Sequence, residues 1–259
     1  MASSERDRAK HPGIGQLALQ LKQSLATRTP KKAPFDELHT VGDAALFCKQ
    51  HASSEDHRAY LQAKRLFDVV ASAGALAVGF VPSVVLAAII AVDIKGNPLY
   101  LQTRVGQDGV PFRIVKFRTM VADAHDVGKY FNAEQMEAWL HEVKVENDPR
   151  TTKLGAFLRA ASIDEFPQFA NVLLGQMSVV GPRPITFEEL DYFAEDAAEL
   201  VSCKPGITGL WQTGPRNKAT FESGDRQRFE LLYVRNACLR LDAALVLRTF
   251  KAIAKRTGL

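Results

Sequence analysis

Residues 147–184 read NDPRTTKLGAFLRAASIDEFPQFANVLLGQMSVVGPRP, and the rest of the chain is organised around this stretch. It places two adjacent carboxylates, Asp164 and Glu165, between arginines on both sides. Ser162 followed three residues later by Glu165 is typical of a capping box at a helix start, and Pro167 would move that start a few residues later. In either register we expect both carboxylates at the positive end of a helix dipole. Two interpretations remain open: the pair carries chemistry, or it only caps a helix.

Three further motifs accompany the carboxylate pair. They are KFRTM at 116–120, GPRP at 181–184 and KPGITGLWQ at 204–212. With the segments DPR, S-x-DE-PQ and N-V-x-x-G-x-MS-x-VGPRP they resemble, in composition and order, the bacterial sugar transferases. The resemblance runs from Lys64 to Thr257. Several long motifs in the correct order are far more specific than any one of them.

The resemblance implies an activity. Similar family members are monotopic polyprenyl-phosphate phosphoglycosyl transferases, which move a sugar 1-phosphate from a UDP-sugar to undecaprenyl or another polyprenyl phosphate and release UMP. It further implies the bacterial inner membrane, with the catalytic domain on the cytoplasmic face, and a role in exopolysaccharide, O-antigen or capsule assembly. Glucose or galactose is the expected sugar. Since no long polytopic bundle precedes the domain, the chain is similar to the small form of the family, with an N-terminal extension.

By the same resemblance Asp164 is the nucleophile, which forms a covalent phosphosugar intermediate, and Glu165 is the ligand of Mg²⁺. A chain that brings carboxylates to a diphosphate needs cations to offset the repulsion. The candidate substrate-binding residues are Arg159, Arg183, Lys116, Arg104, Arg118, Pro182 and Arg216. The last of these departs from the family pattern, because Gly214-Pro215-Arg216 replaces a Gly-Arg pair.

Composition sets broad bounds. The 259 residues suit one catalytic domain with additions, and a hydrophobic content of 46% suffices for a sizeable core. A net charge of +4 gives no indication of a nucleic-acid partner, whereas an excess of Lys and Arg suits an anionic membrane surface or phosphorylated substrates. The cysteines and histidines lack metal-ligand spacing. A homo-oligomer is compatible with these data.

The most apolar part of the chain is Val69–Val92, which has no charged residue in 24 positions. That length can span a bilayer, and a buried core helix is the alternative. Pro82 lies near its middle, where proline bends a helix. Positive residues on both flanks give no inside–outside preference, so we predict a re-entrant helix that enters and leaves by the cytoplasmic face. The family has a Ser-Pro pair at the bend, whereas this chain has Val81-Pro82 with Ser83 after it.

The predicted fold class is α/β (α+β), mostly helical, with a re-entrant membrane helix, a small cytoplasmic catalytic domain and amphipathic interfacial helices. The alternation of polar and apolar residues between Gly96 and Met120 predicts a short β-hairpin. The predicted boundaries are 1–62 for the N-terminal extension, 63–95 for the membrane helix and 96–259 for the catalytic domain. Helices are also expected at 14–25, 41–49, 122–145 and 184–201, the last as an acidic solvated face. A basic amphipathic helix at 229–256 suits the plane of an anionic membrane, and an ordinary packed helix is its alternative.

Two other functions remain open. A membrane-anchored, catalytically silent scaffold would keep the fold without activity, although the intact Asp164–Glu165 pair argues against it. A membrane-anchored, metal-dependent phosphohydrolase would use water as the acceptor and would need no polyprenyl phosphate.

Overall fold

The structure is a computed structural model that describes residues 54–142, 145, 147–214 and 219–254. Most of this part of the chain is helical, and its strands form two small sheets. The prediction of a mostly helical protein with little sheet is therefore confirmed. The helices predicted at 14–25 and 41–49, most of the extension 1–62, and Arg216 lie outside the described residues.

A single helix of 41 residues, α1 (Ser54–Ile94), contains the whole apolar stretch and continues through Pro82. By length and composition it can cross a membrane. Only 6% of its most apolar window is buried inside the protein, which does not fit a core helix. The predicted bend and the re-entrant topology stay predictions.

Polar contacts hold the N-terminal part of α1 against later elements. The Lys64 ammonium donates to Asp242 Oδ2 at 2.7 Å and to the Val180 carbonyl at 2.9 Å. One turn further on, Asp68 is buried and accepts from the Val179 N–H at 2.8 Å. Buried charges are stable only when they are paired or hydrogen-bonded, so these partners fix the helix here.

Apolar contacts hold the other end of α1. Ile90 and Ile94 are buried with Phe117 and Leu158 in one hydrophobic cluster. Between the two anchored ends the helix carries exposed apolar side chains, namely Val78, Phe80, Val81, Val84 and Val85.

The predicted β-hairpin is present. It pairs β1 (Leu99–Val105) with β2 (Pro111–Phe117) in antiparallel register, and the connecting turn contains Asp108 and Gly109 at positive φ. Alternate residues of a strand share one face, so Lys116 continues the face of buried Phe112 and Ile114. The hairpin therefore carries a lysine toward the interior of the domain.

Residues 125–149 fall in a different compact unit from residues 54–124 and 150–254. Within it lie α2 (Val127–Tyr130) and α3 (Ala133–Glu142), with the Phe131 and Trp139 rings 6.5 Å apart. The helix predicted over 122–145 is thus divided into two pieces.

The carboxylate pair follows α4 (Lys153–Ala160), whose N-terminus is capped by Thr152. Ser162 adopts a left-handed conformation with φ 56° and makes no side-chain capping bond, so the predicted capping box is wrong. The pair lies instead in a 3₁₀ turn, Ile163–Glu165, and α5 (Gln168–Leu173) begins after Pro167. The expectation that this proline moves the helix start is correct.

Two glycine-containing motifs meet in a parallel strand pair. β3 (Ser178–Val180) leads into GPRP, and β4 (Gly206–Thr208) belongs to KPGITG. A Cβ on Gly181 or Gly206 would overlap the backbone of the other segment, so only glycine permits this approach. The Gly206 N–H donates to the Pro182 carbonyl at 2.8 Å. This pairing fixes the backbone on which Arg183 is presented.

The acidic segment at 184–201 is not one helix. It divides into α6 (Phe187–Leu190), a 3₁₀ segment at Asp191–Asp196 and α7 (Ala197–Leu200), with a break at Ala194, φ 46°. Thr186 and Glu189 form a capping box at the start of α6. The capping box therefore marks the N-cap of α6 two residues after the predicted start.

The C-terminal part consists of α8 (Leu210–Thr213), α9 (Asp225–Asn236) and α10 (Leu239–Ala254). The predicted helix at 229–256 is therefore two helices. Leu241 and Leu245 of α10 are fully buried, whereas Leu247 and Phe250 are exposed. The main core includes Phe112, Ile114, Val172, Met177, Val180, Leu210, Tyr233, Leu241 and Leu245.

Candidate active site

The 3₁₀ turn at Ile163–Glu165 carries both carboxylates, and Glu165 lines a small pocket. Lys116 from β2, Arg183 from the GPRP loop and Arg104 from β1 line this pocket together with Glu165 and Gln168. Residues separated by nearly 80 positions thus converge on one site. The sequence predicted each of the three cations as a phosphate ligand.

Glu165 is held by two cations. Lys116 Nζ lies 3.1 Å from Glu165 Oε1, and Arg183 Nη1 lies 3.6 Å from the same oxygen. Burial lowers the pKa of Lys116, and the charge of Glu165 opposes this shift. The carboxylate is therefore fixed in orientation beside two positive charges.

Asp164 has different surroundings. It is half-buried and makes no hydrogen bond or ion pair with the described residues. Burial raises its pKa, as does the neighbouring charge of Glu165, while Lys116, Arg159 and Arg183 act in the opposite direction. A carboxylate without hydrogen bonds, within the field of three cations, has the properties of a nucleophile toward an anionic substrate.

Arg159 and Arg104 flank the pair from different elements. Arg159 lies in the last turn of α4, and its Nε donates to Thr119 Oγ1 at 2.8 Å. Arg104 Nη1 donates to Glu189 Oε2 at 2.8 Å. Both guanidinium groups are oriented by protein partners, which reduces the entropy lost when they bind a phosphate.

The remaining predicted residues are less central. The Arg118 guanidinium lies 5.9 Å from the centre of the Tyr100 ring and does not line the pocket. Pro182 is buried and contributes its carbonyl to the Gly206 N–H. Arg216 falls outside the described residues.

A second layer of charged residues lies behind Arg183 and Arg104. Arg226 of α9 is 8% exposed, and its guanidinium lies 4.5 Å from the centre of the Trp211 ring. Its Nη1 lies 3.3 Å from Glu189 Oε1, so Glu189 joins Arg226 to Arg104. From the sequence, Glu189 was expected on a solvated face, and no motif indicated Arg226. The capping-box spacing of Thr186 and Glu189 was the available signal for an ordered carboxylate.

Glu230 supports the GPRP loop directly. This carboxyl is 1% exposed and accepts the backbone N–H of Arg183 at 3.1 Å. Burial raises the pKa of Glu230 to about 7, against the charges of Arg226 and Arg183. Two buried side chains of α9 thus fix the backbone and the surroundings of one pocket arginine.

The described residues contain no group of three His, Cys, Asp or Glu side chains that could hold a metal ion. A Mg²⁺ ion commonly binds one or two carboxylates and completes its coordination with water and substrate phosphates. A site based on Glu165 fits that donor set.

The family model for bacterial sugar transferases matches residues 59–256 of this chain. The chain belongs to the bacterial sugar transferase family. The matched range includes α1 from Ala59 onward and every pocket residue named above.

Named relatives agree with this assignment. This sugar transferase is 37% identical to the exopolysaccharide production protein ExoY of Rhizobium meliloti over 199 residues, which cover 76% of this chain and 87% of the relative. It is 39% identical to the UDP-glucose:undecaprenyl-phosphate glucose-1-phosphate transferase of Caulobacter vibrioides, covering 73% of this chain and 69% of the relative. It is also 39% identical to the undecaprenyl-phosphate galactose phosphotransferase of Salmonella typhimurium, covering 75% of this chain. The chain spans only 41% of that protein, and the same share of a similar sugar transferase from Haemophilus influenzae.

Proposed function

We propose that this protein is a phosphoglycosyl transferase that moves a sugar 1-phosphate from a UDP-sugar to undecaprenyl or another polyprenyl phosphate and releases UMP. The observation that carries the proposal is the contrast between adjacent carboxylates: Asp164 is free of hydrogen bonds among the described residues, whereas Glu165 is fixed by Lys116 and Arg183. The names of the relatives support the donor and the acceptor. The reaction takes place at the cytoplasmic face of the bacterial inner membrane, during polysaccharide assembly.

The first step is attack of an Asp164 carboxylate oxygen on the β-phosphorus of the UDP-sugar. A carboxyl–phosphate bond forms, the bond between the β-phosphorus and the bridging oxygen breaks, and UMP leaves with that electron pair. In the second step a phosphate oxygen of the polyprenyl phosphate attacks the same phosphorus. The Asp164 carboxylate is then the leaving group, and the product is a polyprenyl diphosphate sugar.

The cations of the pocket stabilise charge in both steps. Lys116, Arg183 and Arg104 surround the position where phosphate oxygens would lie, and Arg159 acts on Asp164 from α4. Charge-assisted contacts to phosphate are stronger than neutral hydrogen bonds. Preorganised positive groups lower the barrier most, because they need no rearrangement as charge develops.

Glu165 is the residue that would hold Mg²⁺, beside the nucleophile. The ion would supply Lewis-acid stabilisation of the diphosphate. Glu165 would thus position the metal, while Lys116 and Arg183 keep its carboxylate in place.

An exchange experiment tests the covalent mechanism. If UMP leaves before the acceptor binds, labelled UMP exchanges into the UDP-sugar with no polyprenyl phosphate present. Asp164→Asn keeps the side-chain shape and should abolish both exchange and transfer. Glu188→Gln, which changes an exposed carboxylate on α6, should leave both unchanged.

The alternatives give different results. If the pair only capped a helix, Asp164→Asn would cost little stability, because Asn caps a helix about as well as Asp, and it would leave activity measurable. A phosphohydrolase would release UMP continuously without any lipid acceptor, and a silent scaffold would release none. Near-wild-type transfer by correctly folded Asp164→Asn protein would exclude the covalent mechanism.

A further inference from the structure

Two basic side chains from distant parts of the chain meet beside Gly175. A Cβ built on this glycine would lie 3.6 Å from Arg65 Nη2 and 3.7 Å from Lys204 Nζ. The two cationic groups are therefore at most about 7 Å apart, by the sum of those distances. Gly175 itself has φ 82°, a left-handed conformation that favours glycine.

The protein fixes Arg65 but not Lys204. Arg65 donates to the Val172 and Leu173 carbonyls at 2.8 and 2.9 Å, at the C-terminal end of α5. Lys204 Nζ makes no hydrogen bond or ion pair within the described part of the chain. Partial burial lowers the pKa of Lys204, and the charge of Arg65 lowers it further. An anion between the two groups would relieve that repulsion.

Asp68 is a carboxylate whose charge acts on both cations, and it offsets them only in part. Asp68 lies on α1 one turn after Arg65, but its Oδ1 accepts from Ser178 Oγ and from the Val179 N–H. It is 2% exposed and forms no salt bridge with Arg65 or Lys204. The pair therefore presents net positive charge at the protein surface.

Exposed apolar side chains lie next in the sequence to Arg65 and to Gly175. Leu66 follows Arg65 and is 67% exposed, and Leu174 precedes Gly175 and is 74% exposed. Phe67 and Leu173 are also exposed. Basic side chains at the edge of exposed apolar surface are complementary to an anionic headgroup above acyl chains.

We propose that Arg65 and Lys204 bind the phosphate of an anionic phospholipid headgroup, with Leu66 and Leu174 facing its acyl chains. Lys204 supplies an ammonium without a partner among the described residues, and Arg65 supplies a guanidinium whose position the α5 carbonyls fix. This site goes beyond the proposed sugar-phosphate transfer, because neither side chain lines the pocket that contains Glu165.

Binding in detergent micelles tests the site without any turnover. The ligands are dioctanoyl phosphatidylglycerol, dioctanoyl phosphatidylcholine, a short-chain polyprenyl phosphate and inorganic phosphate, and native mass spectrometry of the full chain gives the Kd. Lys204→Met keeps the alkyl stem and removes the charge, and should weaken phosphatidylglycerol binding about fivefold, the effect of one basic residue near an anionic surface. Lys204→Arg should restore it, and Lys251→Met on exposed α10 surface should have no effect.

Phosphatidylcholine should bind wild type and Lys204→Met equally, and inorganic phosphate should bind more weakly than phosphatidylglycerol. Three results would overturn the proposal. They are equal phosphatidylglycerol binding by wild type and Lys204→Met, phosphate binding as tight as lipid binding, and a Lys204 dependence seen only with a short-chain polyprenyl phosphate. Unchanged melting temperatures of the variants in micelles would establish that they are folded.

Discussion

At the scale of single residues, Arg183 is the side chain on which the pocket depends most. Its Nη1 lies 3.6 Å from Glu165, its guanidinium lies 5.6 Å from the centre of the Trp211 ring, and its N–H is bound by Glu230. We predict that Arg183→Ala lowers transfer by about 10²-fold, the loss typical of one preorganised group that stabilises developing charge. UMP release in the presence of polyprenyl phosphate measures this.

Arg235→Ala is the matched control, because Arg235 forms exposed ion pairs with Asp196 and Glu199 on the surface. Such pairs contribute little to stability. If folded Arg183→Ala protein turned over at the wild-type rate, Arg183 would not belong to the site.

Glu230 makes stability depend on pH. Because its folded-state pKa is raised to about 7 from an ordinary 4.5, the folded chain binds a proton that the unfolded chain has lost between these values. Stability should therefore fall as pH rises from about 4.5 to about 7. Glu230→Gln keeps an acceptor for the Arg183 N–H and removes this titration.

We predict that the melting temperature of wild type drops more between pH 5 and pH 7.5 than that of Glu230→Gln. Differential scanning fluorimetry measures the melting-temperature change of each protein. Groups other than Glu230 titrate in both proteins, so their contributions cancel when the two changes are subtracted. Parallel curves would show that Glu230 is already ionised at pH 5 in the folded protein.

Much of the pocket was predictable residue by residue, since Asp164, Glu165, Lys116 and Arg183 all lie within continuous motifs. The second layer was not. Glu189 and Arg226 are 37 positions apart and meet only because the tertiary fold brings α6 and α9 within hydrogen-bond distance. Such a pairing has no local sequence pattern.

The capping box predicted at Ser162 fails for a local reason. Ser162 has a left-handed backbone conformation and cannot place its hydroxyl over the following turn.

At the scale of elements, α1 is long and apolar enough to enter a membrane. Lys64 near one end binds Asp242 of α10, and Ile90 near the other end packs against Leu158 of α4. Both ends thus contact elements of one compact unit, while side chains around Pro82 are exposed. These contacts support the re-entrant proposal, because a helix that spanned the bilayer would separate its ends by the full membrane thickness.

We predict that both ends of α1 are accessible only from the cytoplasm. Cysteines placed at the exposed positions Arg58 and Asp93 should resist a membrane-impermeant maleimide in intact cells and react after lysis. Pro82→Leu restores a helical hydrogen bond and should favour a spanning form. Labelling of one end from the periplasm in the wild-type background would refute the re-entrant topology.

Element prediction succeeded where one local pattern dominated. The hairpin followed from period-two alternation, and α1 from its uninterrupted apolar length. It failed at 184–201 and 229–256. In both ranges the residue composition favours a helix throughout, but the backbone leaves the helical conformation part-way along. The break at Ala194 has a positive φ that no sequence pattern indicated. The second break lies between α9 and α10, where the backbone of Ala237 is not helical.

At the scale of the whole molecule, the proposed reaction joins a water-soluble donor to an acceptor held in lipid by its tail. The catalytic carboxylates must therefore lie at a defined height relative to the membrane. Phe166 directly follows Glu165, and its ring packs against α1 at Gly79, three residues before Pro82. The turn that carries the carboxylates is thus in direct contact with the apolar helix.

Gly79 makes this contact possible, because a Cβ at this position would overlap the Phe166 ring. We predict that Gly79→Leu displaces Phe166 and, with it, the turn at Asp164 and Glu165. A displacement of about 1 Å at a catalytic group can cost on the order of 10²-fold in rate. Transfer to undecaprenyl phosphate in nanodiscs should fall by about tenfold to a hundredfold. Gly74→Leu is the control, since no other part of the described chain comes within 4 Å of a Cβ there. Both substitutions replace a glycine of α1 by leucine, so they change the helix propensity and the hydrophobicity of α1 equally. If the two variants transferred sugar phosphate at equal rates, the contact between Phe166 and Gly79 would not set the position of the carboxylates.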